Sequence, residues 1–296
     1  MKTYRYRKVD AFTSGASLGN PAAFLLTGEE QFSPEQMLQI GKEHAGFVSE
    51  FVFCSSSDKA EIKLTYYSSE CEVDFCGHGT IATMYELIIS NEKWKNQSEI
   101  SFETNRKGVL CAYNHISEED AVYISAPKAE FLELTVTEQA AAEALGLEMA
   151  DLHPEYPMEV INAGLRTLIV PISTYQREVS LYPDQKSLKQ FCEENEIDIV
   201  LTFCMETKEK ENFAHTRVYA PRFGYLEDPA TGSGNSAFGN YLLKNKMWDK
   251  QPIALEQGGD NRIFNIVRLR CRNDMILFGG SATTRIRGEY LIQNGR

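Results

Sequence analysis

A repeated element constrains the fold of this 296-residue chain more than any other feature. Gly77-His-Gly79 opens an apolar helical run, and Gly232-Ser-Gly234 opens a second one 155 residues later. A strand-like segment precedes each run (62–66 and 217–221), and a strand-like segment with a glutamate follows it (100–103 and 253–256). Because the glycines, the helix and both flanking strands recur in the same order, the sequence predicts two copies of one unit.

The predicted unit is a mixed, mostly antiparallel β-sheet wrapped round a central helix, which makes the fold class α+β. The run from Gly77 to Ser90 is apolar on nearly all sides, as is typical of a helix enclosed by other structure. We place the boundary near Pro127, with an N-terminal lobe over residues 1–126 and a C-terminal lobe over 127–281. Ser33-Pro-Glu-Gln36 is a capping box with proline at the first helical position, so it predicts a helix to about His44.

Composition excludes several classes of partner. The chain has 30 Lys and Arg against 42 Asp and Glu, a net charge of −12, and the acidic residues are scattered. No basic face is therefore available for nucleic acid. The N-terminal segment lacks an apolar signal core, and no apolar run reaches the length of a membrane span. We expect a cytoplasmic protein that binds neither nucleic acid nor a membrane.

The sequence predicts neither a bound metal nor a cofactor. Seven cysteines, an odd number without a C-x-x-C pair, fit reduced cytosolic thiols better than disulfides or zinc. The five histidines lack the spacing of a metal-binding pair. A Walker loop is missing, and Gly232-x-Gly234 continues without the G-x-G-x-x-G spacing of a dinucleotide site.

The two Gly-x-Gly helix starts are candidate binding elements. Facing each other across a domain boundary, they would offer free N–H groups and two positive helix ends at one place. Such a site suits a small carboxylate, and glycine would let the ligand approach the backbone closely. Either pair alone fits a tight strand-to-helix turn without a ligand equally well.

Glu50 is the candidate acid–base residue. The segment 47–53 is apolar apart from Ser49 and Glu50, and it predicts a strand with apolar residues on both faces. A carboxyl group partly withdrawn from water on such a strand can take up and return a proton near neutral pH. The pattern fits a buried structural glutamate paired with an arginine equally well.

Several motifs, spread in order over nearly the whole chain, resemble the phenazine-biosynthesis isomerase-like (PhzF-like) family, which shares its two-lobed fold with diaminopimelate epimerase. They are Val9-Asp-Ala-Phe-Thr13 with Gly19-Asn-Pro21, Ser49-Glu-Phe-Val-Phe53, Phe75-Cys-Gly-His-Gly-Thr80, Glu227-Asp-Pro-Ala-Thr-Gly-Ser-Gly234, and Gly280-Ser-Ala-Thr283. One departure is Gly79, where the family usually has alanine.

The resemblance implies a cofactor-independent isomerase that moves protons on a small carboxylate-bearing substrate, such as an amino acid or a cyclic dienoic acid. It implies an active site in the cleft between the lobes, a homodimer, and a C-terminal segment 282–296 that returns to the first lobe as a strand. Glu50 resembles the family's acid–base residue, with His78 and Asp228 as its catalytic partners. The residues expected to hold the substrate are Gly77, Gly79, Gly232, Ser233 and Gly234.

Three alternatives accompany this interpretation. A two-thiol racemase needs a cysteine at each helix start, but the chain has Cys76 at the first and Thr231 at the second, so that mechanism cannot operate. A two-base amino-acid epimerase and a non-catalytic carboxylate-binding protein on the same fold stay open. Taken singly, His78 and Asp228 also fit simple helix caps.

Overall fold

The computed structural model of the chain describes residues 2–292, which form eighteen β-strands and eight α-helices. The strands are β1 Lys2–Ala11, β2 Asn20–Gly28, β3 Phe51–Ser55, β4 Ile62–Tyr67, β5 Glu72–Val73, β6 Glu99–Thr104, β7 Gly108–His115, β8 Ala121–Ser125, β9 Glu130–Leu132, β10 Glu159–Asn162, β11 Arg166–Pro171, β12 Ile199–Cys204, β13 Ala214–Tyr219, β14 Glu227–Asp228, β15 Ile253–Gln257, β16 Asn265–Arg272, β17 Met275–Gly280 and β18 Ala282–Ile292. The helices are α1 Pro34–Glu43, α2 Gly77–Ser90, α3 Glu92–Lys95, α4 Ile116–Glu119, α5 Glu138–Leu145, α6 Tyr175–Val179, α7 Gln185–Glu194 and α8 Gly232–Lys244, with 3₁₀ turns at Met149–Asp151 and Pro221–Phe223.

The chain divides into two compact units. Unit 1 contains residues 2–13, 18–125 and 279–292, and unit 2 contains 14–17 and 126–278. Within unit 1, β18 pairs antiparallel with β1 over its whole length, from Lys2 opposite Ile292 to Ala11 opposite Ala282. The remainder of the segment 282–296, residues 293–296, lies outside the described residues.

The sheet of unit 1 surrounds one helix. β1 pairs antiparallel with β2, β2 parallel with β3, β3 antiparallel with β4, β4 parallel with β6, and β6 antiparallel with β7. Helix α2 packs against β1, β2, β3, β8 and β18. Every residue from Gly79 to Glu86 is buried, which explains why the α2 sequence is apolar on nearly all sides.

Unit 2 repeats this pairing pattern. β10 pairs antiparallel with β11, β11 parallel with β12, β12 antiparallel with β13, β13 parallel with β15, and β15 antiparallel with β16. Helix α8 packs against β10, β11, β12 and β16. The predicted α+β fold, with a mixed and mostly antiparallel sheet round a central helix in each half, is therefore confirmed.

Smaller features follow from local sequence. Ser33 and Gln36 form the expected capping box at the start of α1. In unit 2, α5 and α7 pack small and aliphatic residues such as Ala142, Leu145 and Leu188 against the outer face of β11 and β12. None of the helices within residues 2–292 combines the length and apolar character that a membrane crossing requires.

Candidate active site

Glu50 does not lie in a strand, so that part of the sequence interpretation is wrong. The chain turns after α1, with the N–H groups of Phe47 and Val48 both donating to His44 O, and Gly46 has φ of 78°. β3 begins only at Phe51, where pairing with β2 and β4 starts. Glu50 is therefore the last loop residue before a buried strand, and its side chain is 23% exposed. This position lets the carboxylate turn toward the start of α2.

Glu50, Cys76 and His78 form one cluster in unit 1. Glu50 Oε2 lies 3.3 Å from His78 Nε2 and 3.8 Å from Cys76 Sγ. The His78 side chain is 13% exposed, and its Nδ1 is 3.6 Å from the same sulfur. A carboxylate and an imidazole at this separation can hold and exchange a proton in a partly shielded place.

The start of α2 is fixed by buried polar contacts. Cys76 is the N-cap, and its sulfur accepts a hydrogen bond from the Gly79 N–H at 3.2 Å. Thr80 Oγ1 donates to Cys76 O at 2.7 Å and lies 2.7 Å from the Tyr66 hydroxyl. Burial raises the pKa of Tyr66 well above its ordinary value, so this hydroxyl stays protonated. These bonds position Cys76 and His78 at the first turn.

The start of α8 in unit 2 is built differently. The side chain of its N-cap, Thr231, makes no capping hydrogen bond to the helix. The hydroxyl of its N-cap, Thr231, donates instead to Asp228 Oδ2 at 2.5 Å. Asn235 Nδ2 donates to Thr231 O at 2.9 Å, which matches the bond from Thr80 to Cys76 155 residues earlier. The first N–H groups of α8 are thus left without a side-chain cap.

Gln257 supports this loop and was missed by the sequence interpretation. Its side-chain amide donates to Asp228 O at 2.8 Å, and its Oε1 accepts from Thr231 N at 2.9 Å and from Asn235 Nδ2 at 2.7 Å. The residue is fully buried at the end of β15. The available sequence signal was a polar residue ending the apolar strand that follows the second Gly-x-Gly helix.

The glycines have a packing role that the sequence interpretation did not anticipate. A Cβ at Gly232 would lie 2.2 Å from a ring carbon of Phe278. A Cβ at Gly79 would meet Cys76 Sγ at 2.9 Å and Val52 at 3.1 Å, and one at Gly234 would meet side chains of its own unit from 3.3 Å. Packing within each unit is therefore a further reason for glycine at these three positions.

The two glutamates of the repeat are structural. Glu103 accepts hydrogen bonds from Ser57 and Lys59, which lower its pKa. Burial alone would raise the pKa of Glu256, but bonds from His215, Asn212 and two backbone N–H groups outweigh it and lower the pKa to about 2. Glu103 holds the loop between β3 and β4, and Glu256 holds the loop between β12 and β13, so neither is a candidate base.

The predicted site residues fall into two groups. Glu50, His78, Gly77 and Gly79 belong to unit 1, where the first two are in contact. Asp228 and the segment 232–234 belong to unit 2, where Asp228 is held by Thr231.

Glu50, Cys76 and His78 also meet a geometric condition for metal binding. One potential ligand atom from each lies within 4.8 Å of the other two. Spacing in the sequence could not reveal this set, because Glu50 comes from a loop 26 residues before Cys76. All seven cysteines lie in the described part of the chain, and none of them forms a disulfide.

Comparison with known proteins agrees with this fold. The profile of the family described as "Phenazine biosynthesis-like protein" matches residues 9–288. The uncharacterized isomerase YfhB of Bacillus subtilis is 30% identical over 262 residues, which is 87% of this chain and 87% of that protein. The crystal structure of a PhzF-family phenazine biosynthesis protein from Bacillus anthracis superposes with a TM-score of 0.85 at 25% identity, covering 99% of this chain and all of the other.

A more distant structure shares the fold alone. The hydroxyproline epimerase of Agrobacterium vitis has a TM-score of 0.59 at 12% identity, with 97% of this chain and 92% of that one covered. The match over nearly the whole chain, together with relatives named as isomerases, leads to one conclusion. This chain belongs to the phenazine biosynthesis-like (PhzF) family and is an isomerase of the epimerase-related fold.

Proposed function

We propose that the chain moves a proton between two positions of a small carboxylate-bearing substrate, with Glu50 as the acid–base residue and no cofactor. The observation that carries the proposal is the contact of 3.3 Å between Glu50 Oε2 and His78 Nε2, both on partly buried side chains. A pure binder of carboxylates gains nothing from a second carboxylate in such a place.

The chemistry requires one group that both accepts and returns a proton. Glu50 as the carboxylate removes a proton from a substrate carbon, the C–H bond breaks, and its electron pair spreads into the conjugated system of the substrate. Protonated Glu50 then gives the proton to another carbon, or back to the same one. The product has the formula of the substrate, so the step needs neither oxidant nor reductant. His78 holds the orientation of the Glu50 carboxyl and shares its proton.

We propose that the start of α8 in unit 2 binds the substrate carboxylate. The N–H groups of Gly232, Ser233 and Gly234 begin α8, and the side chain of the N-cap Thr231 makes no hydrogen bond to them. Free N–H groups and the positive helix end favour an anion, so we assign the substrate carboxylate to them. In α2 the corresponding N–H of Gly79 already donates to Cys76, so we expect Gly77 and Gly79 to contribute less. Asp228, oriented by Thr231, would interact with a substrate amine or ketone.

Incubation in heavy water with a panel of β,γ-unsaturated and 2-amino carboxylic acids tests this proposal. Deuterium incorporation, read by mass spectrometry and NMR, shows whether protons move and to which carbon. Incorporation at a new carbon with a shifted double bond supports isomerisation. Exchange at the 2-carbon with loss of chirality identifies the alternative, a two-base epimerase. Tight binding of a panel compound with neither deuterium exchange nor conversion to an isomer would identify the other alternative, a non-catalytic binding protein.

Three further properties belong to the same proposal. We expect a homodimer in the cytoplasm with no metal needed for turnover. Light scattering coupled to size-exclusion chromatography tests the dimer, and a monomeric mass would contradict it. Turnover that is unchanged after treatment with a chelator would support metal independence, and its loss would overturn it.

A further inference from the structure

We propose that Glu50, Cys76 and His78 bind one Zn²⁺ ion, and that zinc thereby inhibits the chain reversibly. The binding is independent of the proposed function, whereas the inhibition rests on it, since zinc would occupy the acid–base pair. The ion is an inhibitor here and no part of the reaction.

The distances among the three ligand atoms carry the proposal. His78 Nε2 and Glu50 Oε2 are 3.3 Å apart, Cys76 Sγ and Glu50 Oε2 are 3.8 Å apart, and Cys76 Sγ and His78 Nε2 are 3.9 Å apart. Ordinary zinc bond lengths at tetrahedral angles give about 3.3 Å between nitrogen and oxygen, and about 3.6 Å from sulfur to either. The three atoms therefore occupy three corners of a zinc tetrahedron after shifts of a few tenths of an ångström.

The donor set selects the class of metal. A thiolate and an imidazole favour Zn²⁺ over Mg²⁺ or Ca²⁺, which bind oxygen ligands. The Gly79 N–H donates to Cys76 Sγ at 3.2 Å, which holds the sulfur in place at the start of α2. With three protein ligands, the fourth position stays available for water or a substrate oxygen, as in open zinc sites.

Co²⁺ in place of Zn²⁺ provides a readout that does not depend on turnover. Titration of the purified chain with Co²⁺ should produce the visible absorption of a four-coordinate ion with a thiolate ligand, and Zn²⁺ should abolish it. The signal should be lost in Cys76→Ser, in which serine can still cap α2, and weakened in His78→Gln. Cys71→Ser removes an exposed thiol elsewhere and should leave it unchanged. A signal equal in wild type and Cys76→Ser, or none in either, would overturn the site.

Activity measurements test the inhibition separately. Zn²⁺ should reduce proton transfer in the wild type, a chelator should restore it, and Cys76→Ser should need at least about tenfold more Zn²⁺ for the same effect. Equal sensitivity of the two proteins would contradict the proposal. If deuterium exchange occurs but the cobalt signal is absent, the metal site alone is rejected. If the cobalt signal appears but no exchange occurs, the proposed function alone is rejected.

Discussion

The first turns of α2 and α8 occupy the same place in two copies of one unit, yet they differ in chemistry. Cys76 caps α2 through its sulfur, and the turn brings His78 to the carboxylate of Glu50. Thr231 leaves α8 without a side-chain cap and orients Asp228 instead. A side-chain hydrogen bond from the fourth helical residue to the carbonyl oxygen of the N-cap is present in both. The two copies thus share the scaffold, whereas their side chains differ: unit 1 carries the proposed proton-transfer pair and unit 2 the proposed anion site.

The largest expected effect is on turnover, and it should differ between the proposed carboxylates of the two units. Glu50→Gln keeps the size of the side chain but removes the proton acceptor, so turnover should fall by a factor of about 10²–10⁴. Asp228→Asn removes a charge that we propose orients the substrate, and it should lower turnover about 10–100-fold. Steady-state kinetics on one substrate compare the two, with Glu103→Gln as the matched control that should retain activity. A larger loss of turnover in Asp228→Asn than in Glu50→Gln would assign the role of the base to Asp228 of unit 2.

A smaller effect, on the free energy of unfolding, should distinguish Gly232 from Gly234 in α8. The Cβ of Gly232→Ala would overlap the Phe278 ring at 2.2 Å, so we expect a loss of about 1–3 kcal/mol in the free energy of unfolding. The nearest atom to the new Cβ of Gly234→Ala is 3.3 Å away, and alanine favours the helix, so its loss should stay below about 1 kcal/mol. Urea denaturation measures both. Equal losses would show that Phe278 moves aside.

A third effect concerns buried carboxylates and depends on pH. Burial raises the pKa of Glu178 to about 8, and its Oε2 lacks a hydrogen-bond partner within residues 2–292. The folded chain thus holds a proton that the unfolded chain releases near pH 4.5, and this costs stability increasingly from about pH 4.5 to pH 8. Glu178→Gln should therefore be more stable than the wild type by an amount that grows from zero below pH 4.5 to its full value above pH 8.

Glu86 of unit 1 provides the contrasting case. It is also buried, but it pairs with Arg7 and Arg287 at 3.3 and 3.1 Å. Glu86→Gln leaves both arginines without this partner and should lower the free energy of unfolding at pH 7. Chemical denaturation across the pH range compares the two variants with the wild type. If the free energies of unfolding of Glu178→Gln and of the wild type varied with pH in parallel, Glu178 would not hold the proton assigned to it.

The fold could be predicted from sequence because local and repeated signals agreed. Apolar runs, the Ser33 capping box and the two Gly-x-Gly helix starts each indicate a strand or a helix. The repeat then shows that these elements follow the same order in both halves of the chain. Glu50 was misplaced because alternation in a short apolar segment does not show where strand pairing begins, and pairing depends on β2 and β4. The packing role of Gly232 was not foreseen because Phe278, the side chain that a Cβ there would meet, is distant in the sequence. Gln257 was missed for the same reason, since its partners are 22 to 29 residues away.

The central claim is that the carboxylate of unit 1 moves the proton and the thiol beside it does not. Deuterium incorporation from heavy water into one substrate, measured for Glu50→Gln and Cys76→Ser side by side in metal-free buffer, tests it most directly. We predict that incorporation falls by about 10²–10⁴ in Glu50→Gln and stays within about threefold of wild type in Cys76→Ser. An active Glu50→Gln beside an inactive Cys76→Ser would contradict the account and assign the chemistry to the thiol.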